Sequence, residues 1–304
     1  MANLKLLKKK VLISGANGLL GQKLVETFQH DFEVHGLGIK PDSALQLDGY
    51  EYVQCDITRR KNVLALVKSL EPNYIINAAA YTNVDGSEED KETCWKVNVT
   101  GVENLAYAAR RMAAVLIHIS TDYVFDGVDG NYNEESVPHP LGYYGRSKLA
   151  GENAVMLSGA EYAILRTMVL YGTGKNVKPN FATWLVGKLR AGERVTIVDD
   201  QYGHPTLADD LAFAVYKIVE LKKTGLYHVT GSDCDTRYDF ALKLADVFGF
   251  DKSLIARIKT KDLNQKAPRP LNCSFDLSKL YDEVGVKLGG IEEGLTKLKQ
   301  QLDS

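Results

Sequence analysis

No C-x-x-C pair occurs in this 304-residue chain, and its four cysteines, Cys55, Cys94, Cys234 and Cys273, lie far apart. That spacing argues against a zinc knuckle or a dithiol redox motif and predicts reduced thiols in a cytoplasmic protein. No apolar run approaches the ~20 residues that a bilayer span needs. The opening MANLKLLKKK is basic, but it has too few apolar residues for a signal-peptide core and no small-residue cleavage site follows. An excess of one charge is also missing. Lysine and arginine number 37 against 39 aspartates and glutamates, a formal charge of −2, so neither nucleic acid nor an anionic membrane is an expected partner. His35, His118, His139 and His204 do not form a ligand cluster, and His118 falls in a predicted strand as a core residue. No catalytic metal is expected.

What is present is an alternation of apolar runs and amphipathic stretches. The runs KVLISG (10–15), FEVHGLG (32–38), YIINAAA (74–80), VLIHIS (115–120) and AILRT (163–167) read as strands. Helical patterns lie between them near 18–29, 60–70, 91–112 and 145–157. Near-continuous apolar strands separated by amphipathic helices predict an α/β fold, a Rossmann-type doubly wound parallel sheet covered on both faces. Right-handed crossovers then bring every strand's carboxyl end to one edge, where functional residues should cluster. After about residue 170 the pattern loosens. Residues 1–170 are expected to form the cofactor-binding domain, with residues about 195–230 returning to it. Residues 171–194 and 231–304 are expected to form a smaller C-terminal lobe that binds substrate.

Gly15, Gly18 and Gly21 in ISGANGLLGQ fall between the first strand and the first helix. Glycines there allow a tight turn, bring backbone close to a pyrophosphate and aim a helix amino terminus at its charge. Gly15, Asn17, Gly18, Leu19, Leu20 and Gly21 are therefore expected to bind a nicotinamide dinucleotide. The spacing is not G-x-G-x-x-G, and the Gly-Lys-Ser/Thr ending of a P-loop is missing. The second strand ends GLGIKP, without the carboxylate that would hold a ribose 2′-hydroxyl. Lys40 suits a 2′-phosphate instead, which favours NADPH, with NADH as the alternative. Asp56 and Ile57 are placed to flank the adenine, although Asp56 could equally cap the helix that follows.

In PLGYYGRSKLAGE, Tyr144 and Lys148 open a helical run and share one face. A second Y-x-x-x-K, Tyr171 and Lys175 in YGTGK, falls in a loop, where that spacing brings nothing together. Tyr143 has Ser147 at the matching position and is read as a packing or substrate-contact residue without a cationic partner. An ammonium beside a phenol lowers a pKa that is ordinarily ~10, so Tyr144 can act as a general acid toward a carbonyl oxygen. ISTDYVF supplies hydroxyls at Ser120 and Thr121 from the end of the fourth predicted strand. Glu88, Glu89 and Asp90 form a charge run, expected to be solvated at a helix start.

ISGANGLLGQ, NAAAYTNVD, WKVNVTGVENLA, HISTDYVFDG, YNEE, PLGYYGRSKLAGE, DDQYGHPT and RPLNCSFDLSKL together resemble the extended short-chain dehydrogenase/reductase superfamily. Within it the chain is similar to the dTDP-4-dehydrorhamnose reductase family, from residue 11 to about 280. The resemblance implies Thr121, Tyr144 and Lys148 as the catalytic triad, with Lys148 also on the nicotinamide ribose. It implies cofactor contacts from Ala78, Ala79, Ala80 and Tyr81. Asp122 and Tyr123 would face a hexose, and Gln201 and Arg269 would reach a nucleotide's phosphates or base. An arginine suits a diphosphate because its fork donates two parallel hydrogen bonds. RTMVLYG departs from the family's usual R-T-S-W-V-Y-G: Val169 stands in place of a tryptophan and Met168 in place of a serine. RPLNCSFD has Cys273 where serine is usual. Trp184 is read as a core residue, with a pocket wall as the alternative.

The expected function is NADPH-dependent reduction of the C4 ketone of a nucleotide-linked 4-keto-6-deoxyhexose, dTDP-4-dehydrorhamnose or a close relative. A homodimer is compatible with this reading. Two alternatives stand beside it. One is a nucleotide-sugar epimerase or dehydratase that retains NAD, which the missing carboxylate after the second strand disfavours. The other is a non-catalytic regulatory subunit like the beta subunit of methionine adenosyltransferase.

Overall fold

The computed structural model describes residues 8–303; the first seven residues of the basic opening segment lie outside them. The first half runs β1 (Lys10–Ser14), α1 (Leu19–Phe28), β2 (Glu33–Gly38), β3 (Tyr50–Gln54), α2 (Arg60–Leu70) and β4 (Tyr74–Asn77). It continues through α3 (Gly86–Glu89), α4 (Lys91–Trp95), α5 (Gly101–Met112), β5 (Val115–Thr121), α6 (Tyr143–Leu157) and β6 (Tyr162–Thr167). The second half adds β7 (Leu170–Tyr171), α7 (Phe181–Arg190), β8 (Val195–Val198), β9 (Tyr202–Gly203), β10 (Thr206–Leu207) and α8 (Ala208–Glu220). Last come β11 (Gly225–His228), β12 (Asp235–Thr236), α9 (Arg237–Phe248), β13 (Ile255–Ile258), α10 (Ser278–Val284) and α11 (Ile291–Asp303).

Seven parallel strands form the central sheet in the order β11–β6–β5–β4–β1–β2–β3. β1, β4 and β6 are buried on both faces almost without a break, which is why their sequences are continuously apolar. One face packs on α1 and α8 through Leu24, Phe28, Leu211 and Val215. The other packs on α2 and α5 through Val63, Val67, Leu105 and Ala109. Burying each such side chain contributes on the order of 1.5–3 kcal/mol, so the two layers fix the sheet between them. Strand order reverses between β1 and β4, and the crevice at their carboxyl ends is where such sheets bind ligands. No helix among the described residues is long and apolar enough to cross a membrane.

Four features differ from the sequence reading. The strand β3 was not among the expected runs. As an edge strand it exposes Glu51 and Gln54, so it lacks an apolar signature. The single helix expected over 91–112 is split into α4 and α5 by a wide π-turn at Lys96–Thr100, which turns Asn98 inward. Val195–Val198, expected with the segment returning to the main sheet, pairs in parallel with β13 instead. Its inward Val195 and Ile197 pack with Leu185, Leu189, Leu244 and Leu295 from α7, α9 and α11. α8 and β11 do return. Finally Leu280, Val284, Val286 and Leu288, expected in the smaller lobe, join the core of the main sheet, where α10 covers the β11 edge.

Candidate active site

The glycine turn leaves β1 with Gly15 at φ +73°, a conformation that disfavours a side chain. A Cβ there would stand 2.8 Å from the Ala79 amide nitrogen, so the turn lies directly against the backbone after β4. A Cβ on Gly21 would stand 2.1 Å from the Gly15 carbonyl oxygen; this glycine seats α1 on the turn. Gly18 is the N-cap of α1 and no side chain caps it, so the first amides of the helix are open to an anion. Leu19 is half-buried. Leu20 is buried in the core, so only its backbone can meet a ligand. Asn17, expected to bind the cofactor, uses its side chain differently. Its Nδ2 donates to the Asp42 carbonyl at 2.8 Å and to the Tyr52 hydroxyl at 3.2 Å, while its Oδ1 accepts from the Ala44 amide at 2.8 Å. The Tyr52 hydroxyl donates to the Lys40 carbonyl at 2.8 Å. Asn17 and Tyr52 thus fasten the loop that presents Lys40, whose exposed side chain forms no ion pair among the described residues.

Asp56 accepts from the Thr58 amide at 2.9 Å in the turn before α2, whose N-cap Arg59 receives no side-chain cap, so Asp56 does not cap that helix; Ile57 is buried against Val63 and Val102. Ile57's side chain is therefore core rather than an open adenine wall. Ala78, Ala79 and Ala80 are the half-buried backbone following β4. Tyr81 is held by the inward Asn98, which accepts from its amide at 2.8 Å and donates to its carbonyl at 3.2 Å. Asn98 also donates to Ser147 Oγ at 3.0 Å, tying this loop to α6.

Thr121 ends β5, while Tyr144 and Lys148 lie on the first turns of α6, and all three are buried. Burial pushes the Tyr144 phenol well above its ordinary value, more than the neighbouring Thr121 hydroxyl pulls it down; that hydroxyl donates to Asp122 Oδ1 at 3.0 Å. Burial therefore outweighs the acidifying effect expected of Lys148. Burial dominates, and the Lys148 ammonium donates to the Ile119 carbonyl at 2.7 Å. Burial also pulls Lys148 down to about 8, against the opposing charge of Glu152. Tyr144 is thus a neutral phenol, with Lys148 buried on the same face of α6. Asp122, next to Thr121, is buried and pushed up to about 6 by desolvation, with Arg237 pulling the other way. The Tyr123 ring meets the Tyr144 ring edge-on, with centroids 5.5 Å apart.

Beside these groups lies a cleft lined by Asp122, Tyr123, Val169, Gln201, Arg237 and Cys273, among others. It continues into a wider opening edged by Trp184, Leu263, Gln265 and Arg269. Gln201 lines both and donates to Thr260 Oγ1 at 3.0 Å. Trp184 is 38% exposed and forms a wall of the opening, so its reading as a core residue is corrected. The α7 face behind it already buries Leu185 and Leu189. Arg237, absent from the sequence reading, lines both spaces and stacks 5.1 Å from the Phe181 ring centroid. One signal was available: an arginine as the first residue of a helix opposes the helix dipole and invites an anionic neighbour.

Tyr143 does not shape this cleft. Its ring faces Trp95 at 6.4 Å and takes the Lys91 ammonium at 5.5 Å, so it has a cationic partner after all. Nor is the 88–90 charge run merely solvated. Glu88 accepts from the Tyr143 amide at 2.7 Å and so caps α6; Asp90 accepts from Thr93 and caps α4; Glu89 pairs with Lys266. Asp85, just before them, holds Arg269 Nη2 at 3.0 Å and accepts from the Ala267 amide at 3.0 Å. A clasp therefore joins the loop after β4 to the segment bordering the cleft.

A parallel sheet with an open glycine turn after β1, and a Thr–Tyr–Lys set between β5 and α6, define an NAD(P)H-dependent oxidoreductase of the extended short-chain dehydrogenase/reductase kind. The model of the RmlD substrate binding domain family matches residues 9–304, and the chain belongs to that family. It is 34% identical over 302 residues to the dTDP-4-dehydrorhamnose reductase of Aggregatibacter actinomycetemcomitans, covering 95% of this chain and 98% of that protein. The dTDP-4-dehydrorhamnose reductase of Bacillus anthracis, solved in complex with NADP, superimposes with a TM-score of 0.86 at 30% identity, covering 97% of this chain and all of that one. The chain is also 33% identical over 284 residues to the methionine adenosyltransferase 2 subunit beta of Xenopus laevis, covering 91% of this chain and 83% of that protein.

Proposed function

We propose that the protein reduces the C4 ketone of a nucleotide-linked 4-keto-6-deoxyhexose, such as dTDP-4-dehydrorhamnose, with NADPH. The observation that carries this reading is the placement of Thr121 at the end of β5 and of Tyr144 and Lys148 on one face of α6, next to Asp122 and Tyr123 of the cleft that also holds Gln201 and Arg237. The reduced nicotinamide supplies hydride to the carbonyl carbon. Thr121 donates a hydrogen bond to the carbonyl oxygen, and Tyr144 gives it a proton as negative charge develops there. Lys148 stabilises the phenolate that Tyr144 becomes. The open amides of α1 and the exposed Lys40 suit the diphosphate and 2′-phosphate of NADPH. Arg237 and Arg269 suit the substrate's diphosphate, and Asp122 and Tyr123 suit the sugar hydroxyls. The main sheet with α8 and β11 serves as cofactor domain, and α7, α9, α11, β8 and β13 serve as the substrate lobe.

The test is the loss of reduced-nicotinamide absorbance on mixing NADPH and the protein with dTDP-4-dehydrorhamnose. Turnover is expected, faster with NADPH than with NADH, and no turnover with either cofactor would sink the reading. The likeness to the adenosyltransferase subunit favours a second reading, a binding subunit on the same scaffold. Co-elution with a catalytic synthetase, without turnover of any nucleotide sugar, would select it.

A further inference from the structure

The proposed reaction makes no use of Ser120, Glu152 or Arg166, yet all three are buried beside it. Glu152 lies four residues after Lys148 on α6, so the two share a helix face. Its Oε1 accepts from Ser120 Oγ at 2.5 Å and from Arg166 Nε at 3.0 Å, and its Oε2 accepts from Arg166 Nη2 at 2.7 Å. Ser120 stands between Ile119, whose carbonyl receives the Lys148 ammonium, and Thr121. One carboxylate thus touches the ends of two strands and shares a helix with the lysine.

A buried ion pair loses more hydration than an apolar pair of the same volume, so stability alone is a weak reason for this one. Charge balance is a better reason. Without Glu152 the interior would hold two cations, Lys148 and Arg166, and no anion beside them. We propose that Glu152 is the counter-charge that keeps Lys148 an ammonium inside the closed site, with Arg166 and Ser120 holding that carboxylate in place. The proposal rests on the reading above, in which Lys148 works as a cation.

The other groups around Lys148 do not replace it. The Cys94 thiol on α4 is raised by burial and stays neutral. His118 on β5 is driven well below its ordinary value by burial and by Lys148 itself. Asp122 after β5 is opposed by Arg237 from α9. Tyr144, on the same helix, is a neutral phenol, and Arg166 on β6 is a second cation engaged by Glu152. Glu152 is a positioning residue that acts through Lys148.

The test is a ¹³C NMR titration of lysine-labelled protein, with the Lys148 signal assigned by its loss in Lys148→Met. The wild-type midpoint is expected at about 8. In the double variant Glu152→Gln/Arg166→Met, which removes the carboxylate without leaving Arg166 unpaired, the midpoint should fall by about one unit or more, a tenfold change. The alkaline limb of kcat/KM should fall with it. Glu152→Asp keeps the charge and should keep the midpoint near the wild-type value, and it carries the test alone if the double variant fails to fold. A folded double variant with the wild-type midpoint overturns the proposal, as does a Glu152→Asp midpoint that falls by about one unit or more, the drop expected when the charge is removed. The titration needs no turnover. A moving midpoint in a protein that reduces no sugar would therefore refute the reaction and leave the counter-charge standing.

Discussion

Tyr144 with Lys148 and Tyr171 with Lys175 have the same spacing and opposite surroundings. The first pair lies on α6 with both side chains buried. The second starts in β7 and runs through Gly172 into a loop, where the Lys175 backbone is docked on Gln22 by two hydrogen bonds of 2.8 Å and its side chain is exposed. Burial pushes both phenols far up. At Tyr144 the Thr121 hydroxyl opposes that shift and Asp122 alone among carboxylates adds to it, whereas at Tyr171 the carboxylates of Asp210, Asp233, Asp209 and Glu293 all reinforce it. A phenolate at Tyr171 would face four carboxylates; one at Tyr144 would face a hydroxyl and a single carboxylate. The spacing is shared; the number of carboxylates around each phenol is not.

Removing each hydroxyl is the strongest way to break this contrast. Tyr144→Phe should lower kcat by about 10³-fold with cofactor affinity retained, while Tyr171→Phe should stay within about twofold of wild type. Equal losses in the two variants would erase the distinction. A pH profile sharpens it with a smaller effect. Lys148 is pulled down to about 8, so its ammonium is present below that value and lost as pH rises through it. The rate should fall above pH about 8 with a slope of one proton, and Lys175→Met should leave the limb in place. The smallest effect concerns the carboxylates. Asp122 is raised from 3.8 to about 6, so the stability it contributes is complete below 3.8 and lost as pH rises through about 6. Asp122→Asn should therefore stabilise the fold by about 2 kcal/mol at pH 7.5 and add little at pH near 4, read by urea unfolding. The same gain at both pH values would exclude desolvation as the cause.

The central strands were legible because burial on two faces leaves a continuous apolar run, as in VLIS and YIIN. The edge strand YEYVQ was not, because one-sided exposure dilutes that signal, and β8 was misplaced because its partner β13 lies some sixty residues further along. At the site, the helical context of Tyr144 and Lys148 could be read from GRSKLAGENAVML. Their electrostatics could not, because the sign of a pKa shift depends on how much water the fold removes. Asn17 was recognised by position while its side chain serves the Lys40 loop. Arg237 was missed because β12 and β9, which bring α9 to the cleft, are two residues each.

The clasp between Asp85 and Arg269 bears on how the cleft fills. An anion that takes this guanidinium must displace a carboxylate already there, so measured affinity reports a difference between two pairings rather than the strength of one. The displaced Asp85 also holds the Ala267 amide, and its neighbour Glu88 caps the helix bearing Tyr144. Occupancy of the cleft and order at the start of the catalytic helix are then two readings of one exchange.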